Sequence, residues 1–254
     1  MRFRLVRLLL PMIILLSPGA ASARELFVVG TTFSRIYEQA PDGQFTGLGV
    51  DVLRVVARQM GYELRFGLYP WLRAQAMVER GEADILVGPY KTPERELRFS
   101  FSRQPFFRDR LLFFVRKGSN IDWDGNYASL RGKRIGTVYG WAYGDDFDRS
   151  RAQLDVSNAN TLKTGMVMLA NGRIDMLAAN ERDADGVIRQ LKMGKNVFPL
   201  ERGIEVRDAY FAFPRSAESA SMQQQFNEIL QAMIERGELE RLAQKHRVLV
   251  PQRK

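Results

Sequence analysis

The sequence predicts an α/β chain of two similar lobes joined by two crossing strands, and three observations carry that reading. One unit occurs twice: Val78–Gly88 returns as Leu169–Ala179, with Gly81 and Asp84 displaced to Gly172 and Asp175 by the same 91 positions (172−81 and 175−84). In both copies a helical pattern stops at the Gly, which reaches the left-handed conformation cheaply, and the apolar run after the Asp reads as a buried strand. The segments upstream also correspond, since Glu63–Phe66 precedes the first helix and Leu154–Val156 the second. Finally, Arg110–Arg116 and Ala209–Phe213 are strand-like runs placed to leave the first lobe and return to it. Two such lobes leave a cleft, and clefts are where small ligands bind.

Taken in order, Glu25–Gly30 is the first strand, and a loop leads to a helix whose apolar positions 52, 53, 56 and 60 keep helical spacing until Gly61. A strand near Glu63–Gly67 is followed by Pro70-Trp71, where Pro suits a helix start because its missing N–H would be unpaired there. That helix runs to Arg80, the strand Ile85–Val87 follows, and a polar turn from Gly88 to Arg95 leads to the first crossing. The second lobe alternates strand Arg134–Val138, a strand near Leu154, helix Thr161–Asn171, strand Ile174–Ala178, helix Arg182–Met193 and strand Asn196–Leu200. Two terminal helices, about 217–236 and 239–246, are separated by Gly237 and should pack on the first lobe. The expected boundaries are 24–108 and 209–254 for the first lobe and 109–208 for the inserted second. With only two crossings, cleft closure needs few torsion changes.

Residues 1–23 combine a basic start (Arg2, Arg4, Arg7), the apolar stretch Leu8–Leu16 and the small-residue site Ala21-Ser22-Ala23, the pattern of a secretory signal that would leave a mature chain starting near Arg24. The formal charge of +9 becomes +6 without those three Arg. The basic residues are dispersed, which suits a solvated surface or a bias toward anionic ligands and argues against a nucleic-acid partner. There is no Cys, so stability must come from packing, and the single His246 in a basic terminal run excludes a His-based metal site or triad. No metal or cofactor pattern is present: neither a GxGxxG nor a P-loop occurs.

Several segments in sequence order, Gly47–Leu53, Pro70–Asp84, Thr92–Arg95 with Phe99–Ser102, Leu130–Gly136, Gly172–Asp175 and Phe226-Asn227 with Gly237–Leu239, resemble the family 3 extracellular solute-binding proteins, the periplasmic amino-acid receptors of ABC importers. The resemblance covers essentially the whole mature chain. It implies the type II periplasmic binding (Venus-flytrap) fold, a periplasmic location, a monomer, a small carboxylate-bearing solute and a permease of an ABC importer as partner. It implies no catalysis and no cofactor. Two alternatives stay open: a periplasmic cyclohexadienyl dehydratase-like enzyme of the same fold, with Glu181, Asp183 or Lys91 as acid or base, and a ligand-presenting subunit of a membrane sensor.

By that resemblance Arg95 holds the ligand carboxylate, which a guanidinium can grip with two parallel N–H donors. Tyr90 and Lys91 share its turn, as ligand contacts or as solvated loop residues. Trp71, Phe33 and Tyr37 are aromatic faces for a planar or cationic ligand group, or equally core side chains. The turn Gly140, Trp141, Ala142 and Tyr143 is expected to open a helix whose free N–H groups attract an anion. The family places Thr or Ser near Trp141 and Ala142, and both are lost here. Members that bind amino acids carry an Asp where this chain has Asn180, so an α-amino group would lose its counter-charge unless Glu181 or Asp183 substitutes. Asp84 and Asp175 read as structural.

Overall fold

The computed structural model describes residues 24–252, so the expected signal segment lies outside the described residues. The first part of the chain forms β1 (Glu25–Gly30), a small hairpin of β2 (Glu38–Gln39) and β3 (Phe45–Thr46), α1 (Leu48–Met60), β4 (Glu63–Leu68), α2 (Trp71–Glu79) and β5 (Ile85–Tyr90). There follow α3 (Pro93–Arg98), β6 (Phe99–Phe101) and the long β7 (Phe107–Arg116). The second part comprises β8 (Arg134–Val138), α4 (Asp145–Ser150), β9 (Asp155–Ala159), α5 (Leu162–Ala170), β10 (Met176–Asn180) and α6 (Glu181–Gln190). The chain closes with β11 (Val197–Pro214), α7 (Ala217–Glu235) and α8 (Glu238–His246).

The main sheet runs β4-β1-β5-β11-β7-β10-β8-β9, with β6 also on β11. Pairs β1–β4, β1–β5, β8–β9 and β8–β10 are parallel, whereas β7 and β11 are antiparallel to each other and to their flanking strands. The order β4-β1-β5 on one side is thus repeated outward as β9-β8-β10 on the other. Helix α5 repeats α2 at the sequence displacement of 91 at both ends (162−71 and 170−79).

The duplicated joints do the same job twice. Gly81 and Gly172 have φ of 73° and 70°, the left-handed region in which a side chain is strained. Three residues past each Gly the chain enters a reciprocal pair: Asp84 N donates to Phe27 O while Asp84 Oδ2 accepts from Phe27 N at 2.7 Å. Asp175 repeats this with Arg134, its N donating to Arg134 O and its Oδ2 accepting from Arg134 N at 2.9 Å. Each carboxylate therefore locks a helix exit to the start of the neighbouring parallel strand.

The run Leu111–Val115 of β7 is continuously apolar and buried because both faces of the sheet are covered. On β7, Leu112 and Phe114 join a cluster with Met166 and Leu177, while Phe113 and Val115 join Trp123, Ile135 and Phe147 on the opposite face. The largest cluster holds β1, α1, β5, α7 and α8, including Val28, Leu53, Leu86, Phe211 and Phe226. His246 on α8 meets Asp51 of α1 at 2.7 Å beside Lys245, a structural contact for the single His.

Three expectations need correction. Asn196–Leu200 and Ala209–Phe213 are not separate strands; they belong to one strand, β11, whose register shifts near Gly203 and between Ala209 and Phe211 absorb the irregular stretch. Gly88–Arg95 is not a turn. Strand β5 continues to Tyr90, and Thr92 then caps α3, its Oγ1 accepting from Arg95 N at 3.2 Å with Pro93 at the first helical position.

The third concerns the segment at Gly140, which does not open a helix, since α4 starts only at Asp145. The Trp141 N–H is already given to Val138 O at 3.1 Å. Asp145, Asp146 and Asp148 fill the first turn of α4, so its positive end is met by the chain's own acids.

Candidate functional site

Between the two sets of parallel strands lies a cavity of about 20 Å³ lined by Phe33, Trp71, Gly88, Tyr90, Arg95, Phe107, Asp109, Trp141, Ala142, Asn180 and Arg182. That is room for roughly one water. Beside it lie open grooves of about 910 Å³ and about 530 Å³, both of which Trp141 also lines. Trp141 is therefore the partition between an almost filled centre and wide approaches.

Arg95 is brought to the cavity by α3, and the residue is 6% exposed. Its Nη1 donates to Tyr90 O at 3.0 Å and its Nη2 to Gly140 O at 2.9 Å, so its partners are carbonyls. Among the described residues no carboxylate forms an ion pair with it. Burial lowers its pKa to about 10, the signature of a cation held away from water without a counter-ion.

The Gly140 carbonyl accepts a second bond, from Trp71 Nε1 at 3.0 Å. Gly140 turns this carbonyl inward at φ 77°, and a Cβ there would lie 2.5 Å from Leu72. The backbone group offered at this turn is thus an acceptor, not the expected N–H donor. Phe33 packs edge-on to Trp71, ring centroids 5.3 Å apart, and lies 6.2 Å from Trp141. These rings contact one another rather than leaving a parallel slot.

Opposite Arg95 sits a buried ionic cluster that the sequence reading did not find. Arg182, in the first turn of α6, donates from Nε and Nη2 to Asp109 at 3.1 and 2.9 Å, and from Nη1 to Asp183 at 2.6 Å. Tyr90 Oη donates to Asp109 Oδ2 at 2.8 Å. Burial alone would push the Arg182 pKa down, but Asp109 and then Asp183 outweigh it and hold it above its ordinary value. Burial, reinforced by Asp109, raises the Tyr90 phenol well above its usual range. Ser34 ties this cluster to the loop after β1, its N donating to Asp183 Oδ1 at 2.7 Å and its O accepting from Arg182 Nη1 at 2.6 Å.

Of the residues singled out from sequence, Phe33, Trp71, Tyr90, Arg95, Trp141, Ala142 and Asn180 line the cavity, and Gly140 bounds it through its carbonyl. Four do not. Tyr37 is fully buried against Phe45 and Phe66, with its hydroxyl bonded to Val28 O and Gly67 O, because the loop folds it into the core. Tyr143 is likewise buried and accepts from Val138 N at 2.7 Å, which fixes the turn from beneath. Lys91 lies over the Tyr210 ring at 4.1 Å, and Glu181 pairs with Arg110 outside the cavity. Asn180 caps α6, its Oδ1 accepting from Asp183 N at 2.8 Å while its Nδ2 donates to Asp183 Oδ2 at 2.9 Å.

Asp109 and Arg182 could have been suspected only as charges interrupting apolar or amphipathic runs. Nothing in their spacing pairs them. Among the described residues no group of three or more His, Cys, Asp or Glu could hold a metal ion, and no helix is long and apolar enough to cross a membrane.

The chain is 23% identical to the ABC transporter arginine-binding protein 1 of Escherichia coli (strain K12) over 159 residues, covering 62% of this chain and 63% of that protein. Over 155 residues it is 26% identical to the virulence sensor protein BvgS of Bordetella pertussis, covering 61% of this chain but only 12% of that protein. Among solved structures, a histidine kinase sensor domain with similarity to periplasmic binding proteins superimposes with a TM-score of 0.81 at 21% identity, covering 90% of this chain and 99% of that domain. The fold is accordingly the mixed α/β fold of periplasmic binding proteins. The sequence model of the bacterial extracellular solute-binding proteins, family 3, matches residues 28–248, and the chain belongs to that family.

Proposed function

We propose that this chain is an extracytoplasmic receptor that closes on a small carboxylate-bearing solute, an amino acid or related organic acid, and presents it to the permease of an ABC importer. The lobes would be 24–108 with 209–254, and 109–208, hinged at β7 and β11. The carrying observation is Arg95: a buried guanidinium at a cavity wall, served by two carbonyls and no carboxylate. A ligand carboxylate would replace the Gly140 carbonyl on Nη2 and supply the missing charge. The bonds from Trp71 and Arg95 to Gly140, and from Ser34 to Asp183, support this reading: with those lobes they would be the contacts of a closed form, and a ligand would enter when they part.

The test is a thermal-shift screen of amino acids, dicarboxylates and aromatic acids on the intact protein, because a ligand that binds only the folded state raises Tm. A carboxylate that raises Tm for the wild type and not for Arg95→Ala supports the reading. No response to any carboxylate overturns it.

A second reading, ligand presentation to a membrane sensor, is favoured by the match that covers nearly all of a kinase sensor domain. Solute uptake that fails on gene deletion argues for import; a solute-dependent transcriptional response that fails instead argues for sensing. The catalytic alternative has less support from its three candidate groups, since Glu181 lies outside the cavity, Lys91 lies over Tyr210 and Asp183 accepts from Ser34, Asn180 and Arg182.

A further inference from the structure

We propose that Arg182 is a built-in occupant of the cleft's cation-binding position, so that the site selects carboxylates bearing no α-ammonium group. The inference rests on the reading that Arg95 takes the ligand carboxylate. A zwitterionic amino acid needs both an uncommitted cation and an uncommitted anion within reach of each other. Arg95 supplies the first. The anions nearby are Asp109, on the cavity wall, and Asp183, which borders the 910 Å³ groove.

Both carboxylates are already committed. Asp109 accepts from Arg182 Nε, Arg182 Nη2 and Tyr90 Oη; Asp183 accepts from Ser34 N, Asn180 Nδ2, Arg182 Nη1 and, at 3.4 Å, Arg182 Nη2. These are seven donations onto two groups that together offer about eight lone-pair positions. Arg182 in turn spends its fifth donor on Ser34 O. On these two carboxylates an incoming ammonium would find about one acceptor position, and each further bond to them would require breaking an existing charge-assisted one.

Two carboxylates on one guanidinium leave one formal negative charge, which could still draw a cation. That charge is partly offset internally, although burial still pushes the Asp183 carboxyl above its ordinary value. Asp183 lies in the first turn of the ten-residue α6, where the unpaired N–H groups and the helix dipole favour an anion, and its own N–H is capped by Asn180. A carboxylate ligand at Arg95 requires none of this to change. An α-hydroxy or α-keto acid can still use its oxygen as an acceptor near Arg95, so replacing the amino group by oxygen removes the unmet charge and keeps the shape.

The experiment compares matched pairs on the intact wild-type protein by calorimetry: phenyllactate with phenylalanine, lactate with alanine, and 2-hydroxyglutarate with glutamate. The hydroxy acid of at least one pair should bind about tenfold or more tightly than its amino partner, the scale set by leaving one polar group unmatched. Equal or tighter binding of the amino acid in every responding pair, lost in Arg95→Ala, overturns this inference while leaving the carboxylate receptor standing. No binding by any member overturns both. Arg182→Gln, by releasing acceptors on Asp109 and Asp183, should narrow or reverse the preference. If that variant does not fold, Arg182→Lys, which frees part of the fork's positions, should narrow it in the same direction. An unchanged preference in a folded variant overturns the role of Arg182.

Discussion

Arg182 and Asp109, 73 positions apart in sequence, form a two-bond ion pair in which the side chains are 7% and 2% exposed. The pair joins the start of α6 to the strand β7, and Tyr90 and Asp183 complete its hydrogen bonding. Removing the cation strands two buried carboxylates. Arg182→Ala should therefore lower unfolding free energy by about 3–5 kcal/mol. Asp109→Asn leaves Arg182 its Asp183 partner and should cost less, about 1–3 kcal/mol. Urea denaturation of the two variants checks the order, and a larger loss for Asp109→Asn would contradict it.

Arg95 is the opposite case, a buried cation whose partners are backbone carbonyls. A lysine keeps the charge but not the planar fork, so Arg95→Lys should weaken binding of a carboxylate ligand by about 10- to 100-fold. Titration calorimetry with the carboxylate found by screening measures this. Retention of wild-type affinity would mean that the ligand contacts Arg95 as a point charge or not at all.

The repeated joints make a paired stability prediction. Gly81 and Gly172 have left-handed φ, and an added Cβ at Gly81 meets nothing within 4 Å while one at Gly172 only touches Arg116 at 3.9 Å. Backbone strain is thus the whole cost in both places. Gly81→Ala and Gly172→Ala should each lose about 1–2 kcal/mol, by similar amounts. Equilibrium unfolding of the two variants side by side tests the equivalence.

Acid sensitivity should carry a contribution from Asp175. Its hydrogen bonds from the Arg134 side chain and backbone, with Arg116 at 3.7 Å, hold its pKa down to about 2, against burial, which acts the other way. Unfolded, the group titrates near 4, so it stabilises the fold above about pH 4 and that contribution disappears as pH falls toward 2. In Asp175→Asn the stability difference from wild type should shrink over that interval. Denaturation midpoints measured between pH 5 and 2 for both proteins give the comparison, and a constant difference would refute the assignment.

Much of this architecture was legible from residue order, because the signals are local. The 91-residue displacement located α2 and α5, the left-handed Gly81 and Gly172, and the structural Asp84 and Asp175, since helix ends and buried strands follow from spacing and backbone freedom alone. The same local reading missed α3: Thr92-Pro93 is a helix-start signal, but the helix is only six residues long before β6. It also split β11, which pairing with β7 carries through Gly203.

The sequence by itself determined the alternation of strands and helices, the duplicated joints and the presence of Arg95 and Trp141 near strand ends. Only the tertiary structure decided that Tyr37 and Tyr143 turn into the core, that Trp141 lines both the small cavity and the grooves beside it, and that Arg182 engages Asp109 and Asp183. The reason is the range of the forces concerned. Periodicity and φ preference act over a few residues, whereas the partner of a buried charge is set by which distant strands and helices the packing of the whole sheet brings face to face.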